Sequence, residues 1–389
     1  MSPIKLSSFI LFFSFYTCQA QENEQLLSKQ SEETNKTTEG VTPKIFTLDD
    51  YLKTDTTLDN LVQSYLNIMS PSEKIAQLIM PAMGKHGQSK AIIDELVKDG
   101  LIGGILMLNG TKEEFKNWIY EYNILNAEKQ RLPFLYSADA EPSLINRKIN
   151  NTKTVAKANT LQNIQEVEEV ATTISSELNK IGINYNFAPV VDMSPNKTVG
   201  WRSFGHQPEN VVPWSNAFIS KTQEHQIIAT AKHFPGHGYV VGDTHEKLVY
   251  IDGEMKEIKN YPELIENGVL SIMIAHIAVK NNPNFSTNNL PATTSRKIVT
   301  DLLRDGLNFE GLIITDALNM GGVRNVQNAN TLAISAGCDI LLMPLDARKA
   351  HAELLEAYTT SEEIKNEIEA SVKRVVRMKI CLFSELNQL

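Results

Sequence analysis

The chain has 389 residues, 42% of them hydrophobic and 21% charged, with a formal net charge of −9. That composition is enough to bury a substantial core. The acidic balance argues against a nucleic-acid partner, which would call for a basic face, yet leaves room for a small neutral or anionic substrate in a locally positive site.

The first twenty residues stand apart. Lys5 gives a positive start, "FILFFSFY" an apolar run and "CQA" a small-x-small end at Ala20, a pattern that predicts a secretory signal cleaved after Ala20. The run is too short to span a bilayer in the mature protein. The alternative, a lipid anchor on Cys18, is disfavoured by the bulk of Phe15, Tyr16 and Thr17 just before it. Cleavage leaves Cys338 and Cys381, expected as two buried thiols, although one bridge is open to them. Residues 21–45 are polar with few apolar anchors and read as a flexible tether. The folded domain is expected over 46–389.

From residue 46 short apolar runs alternate with amphipathic stretches. The predicted strands are, in order, "IAQLIMPAM", "IGGILML", "PFLYSAD", "INYNFAPVVDM", "IIATAKHF", "SIMIAHIAV", "GLIITDAL" and "CDILLMPL". Helical stretches between them, such as "KEEFKNWIYEYNILNAEKQ" and "NIQEVEEVATTISSELNKIG", repeat apolar residues every three or four positions. The strand runs are apolar throughout, as in parallel strands covered on both faces. Eight strands separated by helices predict an α/β fold, a single (β/α)8 TIM-type barrel, with a doubly wound open sheet as competitor. Asp139, Asp192, Lys232 with His233, His276 and Asp316 each end a different run, where a barrel would gather them at one mouth. No internal repeat or second domain is evident, and "SEEIKNEIEASVKRVVRMKICLF" reads as a closing helix.

Three of the eight histidines fall within "AKHFPGHGYVVGDTH", Ala231 to His245. His233, His237, His245 and Asp243 are possible metal ligands. However, "FPG" between His233 and His237 makes a turn, and cannot present them on one helical face. A chance cluster in a solvated loop is the bland alternative. Against it stands "DTH", in which Asp243 and His245 are close enough for the carboxylate to orient the imidazole for proton transfer. The loop glycines leave its backbone free to swing over a substrate. Asp316, after a buried strand, reads either as the N-cap of a following helix or as a nucleophile at the barrel mouth.

Together, "KHFPGHG", "DTH", "RSFG", "NFAPVVDM" and "IITDALNM" resemble glycoside hydrolase family 3, more narrowly its β-N-acetylglucosaminidase branch, over roughly residues 60–385. The resemblance implies a retaining mechanism, with Asp316 as nucleophile and His245, oriented by Asp243, as acid/base. Other members take a glutamate from an additional C-terminal domain, and this chain is expected to work without one. It further implies that Lys232, His233, Arg202, Asp139 and Arg147 hold the sugar, although Arg202 and Arg147 also suit structural ion pairs. No metal or organic cofactor, nucleic-acid or protein partner is implied, and a monomer is expected. The expected activity is that of an exported exo-β-N-acetylglucosaminidase on oligosaccharides, peptidoglycan fragments or chitin-type chains. A β-glucosidase or β-xylosidase is the alternative within the family, and a non-catalytic carbohydrate-binding barrel the alternative outside enzymes. An imidazole acid/base also leaves phosphorolysis open, since it does not repel phosphate as a carboxylate would. Two departures from the family pattern are Pro142-Ser143, where Gly-Gly or Trp-Gly is usual, and His206, where an acid is usual. His237 has no expected role beyond fixing its turn.

Overall fold

A computed structural model describes residues 44–193 and 199–387. The predicted export signal, Cys18 and nearly all of the predicted tether lie outside the described residues. Ile45–Leu389 packs as one unit around a large apolar core, with a small second cluster of Val240, Val249, Ala275 and Ile277.

The first stave of the barrel is made of two short strands, β1 (Ile79–Met80) and β2 (Ala82–Met83), on either side of Pro81, which has no N–H to give a ladder. The next staves are β3 (Gly104–Met107), β4 (Leu135–Ala138), β5 (Tyr185–Asn186), β6 (Ile228–Phe234), β7 (Ser271–Ile274) and β8 (Leu312–Thr315). They form one parallel sheet from β2 to β8 in chain order. The last stave, β9 (Leu341–Leu342), pairs in parallel with β1. It also meets β8, through a bridge between Ile314 and Ile340 and a Thr315 N–H to Ile340 O bond of 3.0 Å. The sheet therefore closes into an eight-stave barrel, not a doubly wound open sheet.

Helices return the chain between staves: α1 (Lys90–Asp99), α2 (Lys112–Glu128), α3 (Ile164–Ile181), α4 (Pro208–Glu224), α5 (Tyr261–Glu266), the π-helical α6 (Lys297–Gly306) and α7 (Ala329–Ser335), and α8 (Ala347–Thr360) follows the last stave. Their starts follow local chemistry. Thr111 and Glu114 form a reciprocal capping box before α2, and Asn163 caps α3. The closing helix α9 (Glu362–Leu382) packs on the N-terminal helix Thr56–Ile68 and on α8.

Two predicted strands differ from the structure. "IAQLIMPAM" begins inside a helix, Pro71–Ala76, because Ser70 and Glu73 form a capping box there and Pro71 sits in its first turn. "SIMIAHIAV" is two strands. After β7 the chain leaves the barrel, and Ile277–Lys280 pairs instead with Val249–Asp252. Cys338 and Cys381 are buried free thiols.

Candidate active site

The carboxyl ends of the staves surround a cavity of about 530 Å³. Asp139, Arg147, Arg202, Lys232, His233, Asp243, His245 and Asp316 all line it. Asp139 directly follows β4, Lys232 and His233 lie near the end of β6, and Asp316 directly follows β8. Parallel strands end on one side of the sheet, so residues far apart in sequence meet there.

One wall is a network of buried charges. Lys232, 1% exposed, donates to Asp139 Oδ1 at 2.9 Å and lies 2.7 Å from Glu141 Oε1. Arg202 donates through two nitrogens to Glu141, at 2.8 and 2.6 Å. Burial alone would raise the pKa of Asp139 and Glu141, but Lys232 and Arg202 more than offset it and hold both carboxyls below their ordinary range. Arg202 is thus ion-paired and lines the cavity at once. Arg147 has no such pair among the described residues; its guanidinium lies 5.4 Å from the centroid of the Trp201 ring.

Asp316 is half-buried. Its N–H donates to Ile274 O at 2.9 Å, which fixes the residue to the end of the neighbouring stave. Its Oδ1 accepts the Ala317 N–H at 2.8 Å. Burial raises its pKa, but the imidazoles of His233 and His276 and the Ala317 N–H outweigh that and hold it below the ordinary carboxylate range. It is therefore ionised at neutral pH. His233 is oriented by Asp192, whose Oδ2 accepts from Nδ1 at 2.7 Å.

His245 is exposed, its side chain 63% accessible. Its Nδ1 lies 2.7 Å from Asp243 Oδ1, which also accepts the His245 N–H at 2.9 Å. Donation from Nδ1 leaves Nε2 available. The loop that carries this pair is pinned at its base by two buried carboxylates. Asp192 Oδ1 accepts the His237 N–H at 2.8 Å, and Glu257 accepts N–H groups from Gly238 (2.9 Å) and Met193. A Cβ on Gly238 would lie 1.8 Å from Met193 O, so only glycine fits there. The expected freedom of the loop glycines thus does not extend to its first half.

Residues 71–378 match the model of the glycosyl hydrolase family 3 N-terminal domain. The chain belongs to glycosyl hydrolase family 3. A β-hexosaminidase from Glaesserella parasuis serovar 5 is 31% identical over 264 residues, 64% of this chain and 75% of that protein. β-Hexosaminidase A from Pseudoalteromonas piscicida is 29% identical over 74% of this chain, which spans only 54% of that longer relative. Among solved structures, a family 3 β-N-acetylglucosaminidase from Paenibacillus sp. FPU-7 superposes with a TM-score of 0.74 at 27% identity, over 82% of this chain and 63% of that one. A β-N-acetylhexosaminidase from Beutenbergia cavernae, at 22% identity and a TM-score of 0.71, shares the fold over 80% of this chain and 98% of its own.

In this family 3 domain the Pro142-Ser143 departure has a structural use. Ser143 Oγ donates to Trp201 O at 2.8 Å and accepts the Ala158 N–H at 3.0 Å, tying the segment after β4 to the one that carries Trp201 and Arg202. His206 is exposed, outside the residues lining the cavity. Two carboxylates escaped the sequence reading. Glu141 carried a faint signal, as the second acid of "DAE" at a strand end. Glu257 carried none, because its partners are backbone N–H groups 19 and 64 residues away.

Proposed function

We propose that this family 3 glycosidase is an exported, retaining exo-β-N-acetylglucosaminidase. The observation that carries the reading is the pairing, in one cavity, of an ionised carboxylate on a rigid strand end with a carboxylate-oriented imidazole on a loop. Asp316 attacks the anomeric carbon while His245 Nε2–H protonates the departing glycosidic oxygen. The new bond joins Asp316 to the sugar as the bond to the aglycone breaks. His245 then removes a proton from water, whose oxygen displaces Asp316 and restores the original configuration. Asp243 keeps the imidazole turned with Nε2 outward. Lys232, His233, Asp139, Arg202 and Arg147 hold the sugar through charge-assisted hydrogen bonds to its hydroxyls.

The names of the relatives support N-acetylglucosamine as the terminal sugar, removed from peptidoglycan-type or chitin-type oligosaccharides, and export rests on the sequence pattern at residues 1–20. Paired 4-nitrophenyl β-glycosides of N-acetylglucosamine and glucose test the sugar. The mature chain should turn over the first far faster, and Asp316→Asn should lower that rate by several orders of magnitude with the fold intact. A preference for the glucoside would replace the reading with β-glucosidase. Mass spectrometry of native material should find Gln21 as the first residue; a lipidated Cys18 would mean a membrane anchor instead.

A further inference from the structure

The base of the His245 loop is held by carboxylates, but its far end is attached differently. Thr244, between half-exposed Asp243 and exposed His245, is itself 1% exposed. Its Oγ1 lies 3.1 Å from His237 Nε2. Its carbonyl accepts the Gly322 N–H at 2.9 Å, and the His245 carbonyl accepts the Gly321 N–H at 2.9 Å. These glycines follow Asp316 by five and six residues, on the segment leaving β8. None of Thr244, His237, Gly321 and Gly322 lines the cavity.

The contact needs glycine. A Cβ on Gly321 would lie 2.0 Å from Glu246 O and 2.8 Å from His245 O, far inside van der Waals contact. Neither glycine has a positive φ, so close approach and not backbone strain makes a side chain unwelcome. The two positions also differ. A Cβ on Gly322 would press on His276, which follows β7, whereas one on Gly321 would have the His245 loop backbone as its three nearest neighbours.

We propose that Thr244, held by His237 on one side and by the Gly322 N–H on the other, forms with the neighbouring bond from the Gly321 N–H to the His245 carbonyl a latch that positions His245 relative to Asp316. The inference rests on the acid/base reading of His245. One short segment carries the nucleophile and receives the loop of the acid/base, so the two reacting groups share a common reference. A proton donor must come within hydrogen-bond reach of the leaving oxygen, and a misplacement of about 1 Å costs about 100-fold in rate. His237 thereby gains a function: it seats the latch from behind, as a positioning residue.

The test compares Gly321→Ala, Thr244→Val and His245→Ala on N,N′-diacetylchitobiose, whose leaving group needs a proton, and on 4-nitrophenyl N-acetyl-β-glucosaminide, whose leaving group needs little. Gly321→Ala and Thr244→Val should each lower kcat for the disaccharide by about 10- to 100-fold with KM nearly unchanged. Their kcat/KM for the nitrophenyl substrate should barely move, and combining either with His245→Ala should add no further loss on the disaccharide. Equal losses on both substrates, or losses that multiply with His245→Ala, would overturn the latch. His245→Ala separates the two failures. If it lacks the leaving-group bias, the acid/base reading falls and the latch with it. If it has the bias and both latch variants lack it, the latch alone is wrong.

Discussion

Glu141 shows how much of the site depends on a residue that reaches no solvent. Its carboxylate faces Arg202 and Lys232, both largely buried, and with Asp139 it supplies the charge that keeps them there. Removing one member of a buried ion pair leaves the others uncompensated, at a cost of about 3–5 kcal/mol. Glu141→Gln should therefore lower the unfolding free energy by roughly 3 kcal/mol in a denaturant titration. It should also raise KM, because Arg202 and Lys232 lose the group that aims them. A variant as stable as the parent would show that Arg202 and Lys232 do not depend on Glu141 for compensation of their charge. The contrast with "DTH" explains what the sequence could disclose. Asp243 and His245 are two positions apart, and their bond is a local property of a turn. Glu141 meets Lys232 and Arg202 across 91 and 61 residues, a proximity that only the closed barrel creates.

At the scale of elements, the strands were legible because barrel staves are buried on both faces and so read as unbroken apolar runs. What the runs did not disclose was where ladders stop. "SIMIAHIAV" stays apolar past β7 because its second half is covered by a strand outside the barrel. The role of α9 was legible as a closing helix, but not the lysine within it. Lys379 is fully buried at the amino-terminal end of the staves, where Nζ donates to Gln77 Oε1 at 2.6 Å and Gly103 O at 2.9 Å. Two acceptors and no carboxylate suit a neutral amine, which has two hydrogens to give. Burial pushes this amine down to about 7. Above that value and up to the ordinary lysine pKa of about 10.4, the unfolded chain binds a proton that the folded chain refuses. Each unit of falling pH in that window favours unfolding by about 1.4 kcal/mol, and below it the penalty is constant. Lys379→Met removes the penalty while stranding two acceptors, a cost that does not change with pH. Its stability relative to the parent should therefore improve by roughly 3–5 kcal/mol between pH 10 and pH 7, read from melting curves across that range. A difference that stays flat with pH would mean that Lys379 is protonated in the fold.

At the scale of the whole molecule, the barrel delivers fixed groups from its strands and one adjustable group from a loop. Asp139, Lys232, His233 and Asp316 stand at the ends of β4, β6 and β8, whereas the Asp243–His245 pair reaches the cavity on a loop. That division suits double displacement, in which the nucleophile stays in place while the acid/base serves a departing aglycone and then an entering water. The central claim is that a covalent sugar forms on Asp316. Incubation with a fluorinated N-acetylglucosaminyl fluoride, followed by intact-mass analysis and peptide mapping, tests it most directly. The predicted result is one added sugar per chain, on the peptide containing Asp316 and absent from Asp316→Asn. A label on Asp139 or Asp192, or steady turnover of the reagent with no labelled chain, would contradict it.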